Sequence, residues 1–160
     1  MMIVRRMGAF VLAATVVFTL AGCTKALEPQ QVTMLVVGGD IALYQVYVVT
    51  QDLVVSYDLT EYWLNNTYNY FEDPLPPSGT YTVTPAPLPP EGWARITTAL
   101  NENKFAGLPD TIDANGTDME TYQIEVITPD GVYSSSGYGA VYKSERFAKI
   151  VDVIREACKV

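Results

Sequence analysis

The pattern of apolar and polar positions predicts a chain dominated by strands. The segment Glu120–Thr128 alternates most regularly, with Tyr122, Ile124 and Val126 on one side. A Pro-Asp-Gly tripeptide at 129–131 then predicts a turn, because proline fixes φ and glycine accepts a positive φ. The next strand should therefore return antiparallel. The predicted strands are Val32–Val37, Leu43–Thr50, Leu53–Asp58, Thr80–Thr84, Glu120–Thr128 and Val132–Ser136.

A period near 3.6 residues predicts two helices, Glu91–Phe105 and Ser144–Ala157. Ser144 is a favourable N-cap for the second helix. The apolar stripe of that helix consists of Phe147, Ile150, Val151, Ile154 and Cys158. Strands with few helices are typical of an α+β domain. We therefore expect a mostly antiparallel sheet with about two helices packed on one face.

The segment Thr60–Glu72 has two interpretations, an extension of the sheet broken by a turn or a long ordered loop. Its aromatic residues are Tyr62, Trp63, Tyr68, Tyr70 and Phe71. They could form a binding patch for a sugar or peptide, because aromatic side chains often anchor interfaces. We favour the alternative that they pack against the sheet or a helix, since aromatic residues are common in strands.

The first 22 residues have the pattern of an export signal. Arg5 and Arg6 provide a positive start, and no charge follows between Met7 and Gly22. The apolar stretch is shorter than the roughly 20 residues that a bilayer-spanning helix needs. A positive start, a short apolar stretch and small residues before a cleavage position indicate a secretory signal covering residues 1–22.

The tetrapeptide Leu20-Ala21-Gly22-Cys23 resembles the lipobox of bacterial lipoproteins. The resemblance implies that a diacylglycerol is attached to the Cys23 sulfur, that cleavage follows before Cys23, and that a fatty acid such as palmitate can acylate the new amine. Two or more acyl chains make a lasting anchor. We therefore expect a lipidated tether covering 23–31 and a single domain covering 32–160, outside the cytoplasm on the cell membrane or outer membrane.

Charge and cysteine content narrow the possible partners. After residue 22 the chain has 8 basic and 18 acidic residues, so its net charge is −10. Binding of nucleic acid needs a positively charged protein face, so we expect no nucleic-acid partner. Anionic lipid attracts basic segments, so we expect this acidic chain to be held on the membrane by the covalent lipid alone. With Cys23 committed to lipid, Cys158 has no disulfide partner. Its place on the apolar stripe predicts a small buried hydrophobe.

The absence of histidine from the sequence removes most familiar catalytic arrangements. Ser-His-Asp, Cys-His and HExxH mechanisms all need a histidine, and the sequence has no glycine-rich phosphate-binding loop. We therefore expect that the protein binds no cofactor and is not an enzyme. Carboxylates could still support hydrolysis, and Asp113, Asp118 and Glu120 are the candidates. A solvated acidic turn explains the same residues.

A calcium site is the more specific interpretation of this acidic loop. Asp113, Asn115 and Asp118 offer the oxygen ligands that hard cations prefer. The EF-hand pattern is not met, because Gly116 is the fourth residue from Asp113 instead of the sixth. An Asn-Gly turn accounts for the segment without a metal.

The segment from Trp93 to Glu156 combines a helix, Phe105 followed by Leu108-Pro109-Asp110, the strand from Tyr122 to Val126 and a last helix. This arrangement resembles small bacterial lipoprotein domains and, more distantly, small protein inhibitors of proteases. The resemblance implies a non-catalytic binding or inhibitor-like module with a protein or glycan partner. The alternatives are a structural or assembly lipoprotein of the cell envelope and a carboxylate-dependent hydrolase.

Overall fold

The computed structural model describes residues 25–39 and 42–159. The predicted signal, residues 1–22, and the predicted lipidation site Cys23 lie outside these residues. The elements in chain order are β1 (Gln31–Gly38), β2 (Tyr44–Val49), β3 (Leu53–Asp58), α1 (Thr60–Asn65), β4 (Thr82–Pro87), α2 (Gly92–Glu102), a 3₁₀ turn (Phe105–Gly107), β5 (Glu120–Thr128), β6 (Gly131–Tyr138), α3 (Ala140–Lys143) and α4 (Glu145–Cys158).

The six strands form one antiparallel sheet in the order β4-β3-β2-β1-β5-β6. The strand β1 lies between β2 and β5, and Met34 is opposite Tyr47 on one side and Ile124 on the other. The β5–β6 hairpin pairs Thr128 with Gly131, which places the turn at the predicted tripeptide. The predicted α+β class with a mostly antiparallel sheet is therefore confirmed.

The edge strand β4 covers Thr82–Pro87, whereas the sequence predicted Thr80–Thr84. Its prolines explain the difference. The Leu88 amide donates to the Asp52 carbonyl at 3.0 Å. Because amide directions alternate along a strand, positions 86 and 84 also face β3, and Pro85 and Pro87 face solvent. A proline there removes no hydrogen bond from the sheet, so the strand continues through both.

One buried cluster joins α2 and α4 to the central strands. Met34, Ile124, Ile96, Phe147 and Ile154 belong to it, and all five are fully buried. Each such side chain contributes about 1.5–3 kcal/mol when it leaves water. Strand side chains alternate between the two faces of the sheet. Leu35, which follows Met34 in β1, and Tyr44 and Val46 in β2 therefore belong to a second cluster on the opposite face.

The described residues form four helices, where the sequence predicted about two. The predicted N-cap is present, because the Ser144 hydroxyl accepts a hydrogen bond from the Phe147 amide at 3.2 Å. The helix α2 is shorter than predicted because Asn103 ends it and Lys104 adopts a left-handed φ of 50°. The helices α1 and α3 have 6 and 4 residues, too few for a helical period to be visible in the sequence.

The segment predicted as a tether packs on the domain. Leu27 is 7% exposed, and its amide donates to the Asn101 Oδ1 atom at 2.7 Å. Asn101 Nδ2 donates in turn to the Leu27 carbonyl at 3.0 Å. The Gln30 amide donates to the Ile127 carbonyl at 2.8 Å. The packed domain therefore begins before the predicted boundary at residue 32, and only Thr24, Lys25 and Ala26 separate Cys23 from Leu27.

A short loop pairs with the outer edge of β6. The Ile112 amide donates to the Ser136 carbonyl at 2.7 Å, and the Ser136 amide donates to the Asp110 carbonyl at 2.9 Å. The loop approaches so closely that a Cβ atom on Gly137 would lie 1.8 Å from the Ile112 oxygen. Glycine at this position is therefore a requirement of the backbone contact.

Candidate functional site

The second buried cluster forms an aromatic layer on the sheet face opposite the first cluster. Leu35 and Val46 are paired across β1 and β2 and form its floor. Leu59 and Tyr68 close over them, and both are buried. The aromatic side chains of this layer are Tyr44, Tyr57, Tyr62, Trp63, Tyr68, Tyr70, Phe71 and Tyr81. We call this surface the aromatic face.

Tyr44 connects the strand floor to the segment above it. Its amide donates to the Thr60 hydroxyl at 2.9 Å, which fixes the start of α1. Its carbonyl accepts from the Leu59 amide at 2.9 Å. Its hydroxyl accepts from the Tyr70 amide at 2.8 Å. These three bonds hold both ends of the 59–70 segment against the sheet.

The rings of the aromatic face form two groups of contacting pairs. Tyr44 lies 5.8 Å from Trp63 and 5.7 Å from Tyr68, measured between ring centroids. The Tyr62 ring meets Tyr68 edge-on at 5.6 Å and 89°. A second group joins Tyr57 to Tyr70 at 5.9 Å, and Tyr70 to Phe71 edge-on at 5.5 Å. These separations are typical of aromatic pairs that stabilise a fold beyond the effect of burial alone.

The structure brings together all five residues of the predicted binding patch. Tyr68 is buried, whereas Tyr62, Trp63, Tyr70 and Phe71 are half-buried. The segment therefore packs against the sheet and still offers the outer parts of four rings to solvent. The packing agrees with the alternative that the sequence favoured, and binding stays a prediction. The start of the segment forms the helix α1, which neither a sheet extension nor a loop predicted.

Sequence reasoning missed three tyrosines that complete the aromatic face. Tyr44, Tyr57 and Tyr81 belong to the same cluster but were not part of the predicted patch. The alternation of β2, which places Tyr44 on the same side as Val46 and Val48, was the available signal. Only the strand order brings Tyr57 beside them.

Burial keeps the central tyrosines protonated. It raises the pKa of Tyr68 to about 12, with a smaller effect from the neighbouring Tyr44. It also raises the pKa of Tyr70 to about 12, and there the charges of Tyr57 and Glu125 add to the effect. The Tyr68 hydroxyl has no hydrogen-bond partner among the described residues. The Tyr68 and Tyr70 hydroxyls therefore stay protonated to a higher pH than ordinary tyrosines do.

A polar area borders the aromatic face on β5 and β6. Register places Glu125 between Thr33 on β1 and Ser134 on β6, and Gln123 between Leu35 and Ser136. Burial raises the pKa of the Glu125 carboxyl. None of the ion pairs among the described residues includes this carboxylate. The same sheet face thus carries an aromatic half and a hydrogen-bonding half.

Exposed aliphatic residues extend the aromatic face toward its rim. Leu64 on α1 is 60% exposed and lines a shallow cavity together with Tyr81, and Val83 on β4 is 44% exposed. Val83 pairs with Tyr57 across the β3–β4 ladder, so its side chain lies on this face. Exposed apolar residues next to rigid rings are typical of interaction surfaces.

The acidic loop holds the β6 edge. Asp113 Oδ1 accepts a hydrogen bond from the Tyr138 amide at 3.0 Å, and the side chains of Asp113, Asn115 and Asp118 are exposed. Within 25–39 and 42–159, the structure has no group of three or more acidic or cysteine side chains that could hold a metal ion. Asp113 thus has a structural contact that needs neither metal nor substrate.

Cys158, which the sequence predicted to be a small buried hydrophobe, is half-buried at the end of α4. Burial raises the pKa of its thiol to about 11, so it is a thiol at neutral pH.

Comparison with known proteins finds no matching family model and no similar curated protein. In the part of the chain that the structure describes, no helix is both long and apolar enough to cross a bilayer.

Proposed function

We propose that this chain is a lipid-anchored lipoprotein outside the cytoplasm whose domain is a non-catalytic binding module. The proposal for the anchor is supported by the sequence, in which an uncharged stretch ends in Leu20-Ala21-Gly22-Cys23. The proposal for binding is supported by one observation above the others, the partly exposed aromatic face with its apolar rim.

The arrangement of the helices supports the choice of this face. We infer that α2 and α4 together cover one face of the sheet, because both contribute fully buried residues to the same cluster as the central strands. The opposite face is then packed against the 59–71 segment and Tyr81. Tyrosine and tryptophan side chains lose little conformational freedom on binding and combine an apolar ring with a polar tip. Such a surface suits a protein or glycan partner.

The anchor is tested with the two cysteines of the chain as a matched pair. Cells that produce the parent, Cys23→Ser or Cys158→Ser protein are labelled with a palmitate analogue and fractionated. We expect Cys23→Ser to lose the label and the membrane association, while Cys158→Ser behaves as the parent. A Cys23→Ser protein that is processed and retained in the membrane like the parent would contradict the anchor.

Binding is tested by capture of partners with the purified lipidated protein and mass spectrometry. The variant Leu64→Asp places a charge on the rim of the aromatic face, and Tyr142→Asp places one on α3, where the side chain is 70% exposed. We expect a partner that the parent and Tyr142→Asp both retain and that Leu64→Asp loses. Equal capture by all three proteins would show that the aromatic face does not bind it.

A further inference from the structure

A second concave site lies where the N-terminal segment meets the end of α2 and the start of α4. It has a volume of about 310 Å³, and its walls include Lys25, Leu27, Asn101, Lys104, Phe105 and Arg146. Leu27, Leu100 and Phe105 provide an apolar floor. We call this site the N-terminal cavity.

Hydrogen bonds fix the walls of the N-terminal cavity. Asn101 binds both backbone groups of Leu27 at 2.7 and 3.0 Å. Arg146 donates from Nε to the Asn103 carbonyl and from a terminal nitrogen to the Lys104 carbonyl, each at 2.6 Å. Carbonyls at the end of a helix carry partial negative charge, and the guanidinium covers two of them. The two carbonyls alone would make the cavity mouth negative, but the guanidinium bound to them makes it positive.

The charge of the cavity is opposite to that of the protein, so the net charge from which a purely covalent hold was expected does not describe this site. Three cations line it, and no residue that lines it is acidic, although the whole chain has a net charge of −8. Within the described residues, no carboxylate forms an ion pair with Lys104 or Arg146. Lys25 pairs with Asp130 at 2.5 Å, but both side chains are more than half exposed, so an anion can replace Asp130 at little cost.

The residues that line the cavity begin two positions after the proposed lipid attachment site in the sequence. Lys25 follows Cys23 with only Thr24 between them. One extended residue spans about 3.3–3.6 Å, so the two Cα atoms are at most about 7 Å apart. A lipid on the Cys23 sulfur would therefore hold the cavity at the level of the membrane headgroups.

We propose that the N-terminal cavity binds the phosphate headgroup of an anionic phospholipid in the same membrane. The proposal rests on the lipid anchor proposed above. Lys25, Lys104 and Arg146 surround the phosphate, and the apolar floor receives the glycerol and the first methylenes. The domain is then held in one orientation on the membrane, which a single covalent link cannot achieve.

The test uses the purified lipidated protein in vesicles of phosphatidylcholine, with or without phosphatidylglycerol. Hydrogen exchange is measured for segments 25–30 and 104–108. We expect at least a threefold slowing in both segments when phosphatidylglycerol is present, and loss of this effect in Lys104→Asn. Asparagine tolerates the left-handed backbone at this position, so the substitution removes the charge with little strain. Lys143→Asn, which removes an exposed cation from α3, should behave as the parent.

Two results overturn the proposal, and they are distinguishable from failure of the anchor. Equal exchange in the two kinds of vesicle, or phosphatidylglycerol-dependent slowing that persists in Lys104→Asn, rejects the headgroup site while the anchor stands. An intact mass without lipid at Cys23, measured before reconstitution, rejects the anchor and the headgroup site together.

Discussion

Asn101 is the residue on which the packing of the N-terminal segment depends. Its side chain binds the amide and the carbonyl of Leu27, 74 positions earlier in the chain. It also donates to the Thr97 carbonyl within α2, which orients the amide group. We expect Asn101→Ala to destabilise the domain by about 1.5–3 kcal/mol, a value set by the cheaper of two responses.

In the first response, Leu27 stays in place and both of its backbone groups lose their partners. An unsatisfied buried group costs about 1–3 kcal/mol, so two cost about 2–6 kcal/mol. In the second response, the segment detaches, the backbone groups reach water, and only the burial of the Leu27 side chain is lost. That loss is about 1.5–3 kcal/mol. The second response is cheaper, so detachment should set the cost.

Urea unfolding of the chain that starts at position 23 and carries Cys23→Ser measures this loss. Thr98→Ala, an exposed substitution on the same helix, should change the free energy of unfolding by less than about 0.5 kcal/mol. If detachment sets the cost, adding Leu27→Ala to Asn101→Ala should have little further effect. An Asn101→Ala protein as stable as the Thr98→Ala control would refute the reasoning.

Four further predictions concern the loop, the aromatic face and the thiol. Gly137→Ala should lower the free energy of unfolding in urea by about 1–3 kcal/mol, because the new Cβ atom meets a backbone oxygen. Gly107→Ala has open space around its Cβ atom and should change this free energy by less than about 0.5 kcal/mol. Tyr68→Phe removes an unpartnered hydroxyl and should be neutral or stabilising; a clear loss would reveal a partner. The fold raises the pKa of Tyr68 and Tyr70 to about 12. The contribution of this shift to the free energy of unfolding is therefore complete below pH 10 and declines as the pH rises toward 12. Absorbance at 295 nm can follow the ionisation of the two tyrosines over this range. Cys158, whose pKa is about 11, should react with a disulfide reagent at pH 8 about tenfold or more slowly than the unfolded chain, and equal rates would contradict its burial.

Local signals made some elements predictable. Ser144 and the apolar stripe after it are contained within one helix, and α4 lies within one residue of the predicted range. The β5–β6 hairpin depends on a tripeptide and on alternation in the strand beside it. In both cases the decisive contacts join residues close in sequence.

Distant contacts were not predictable in the same way. Leu27 was assigned to a tether because a single apolar residue among polar ones has no period, and its partner Asn101 lies far along the chain. The end of β4 was missed because the sequence does not show which side of the strand faces solvent. The aromatic patch was identified as a segment, but Tyr57 and Tyr81 join it only through the order of the strands.

The two solvent-facing prolines of β4 have a consequence for crowding. Proteins fixed to a membrane diffuse in two dimensions, so identical copies meet more often than they would in free solution. An open sheet edge can then recruit the same edge of another copy and start a fibril. Pro85 and Pro87 take amide donors away from one outer edge, and the 110–114 loop occupies part of the other. On the lipid anchor proposed above, neighbouring copies of this domain would therefore meet through sheet edges that pair poorly.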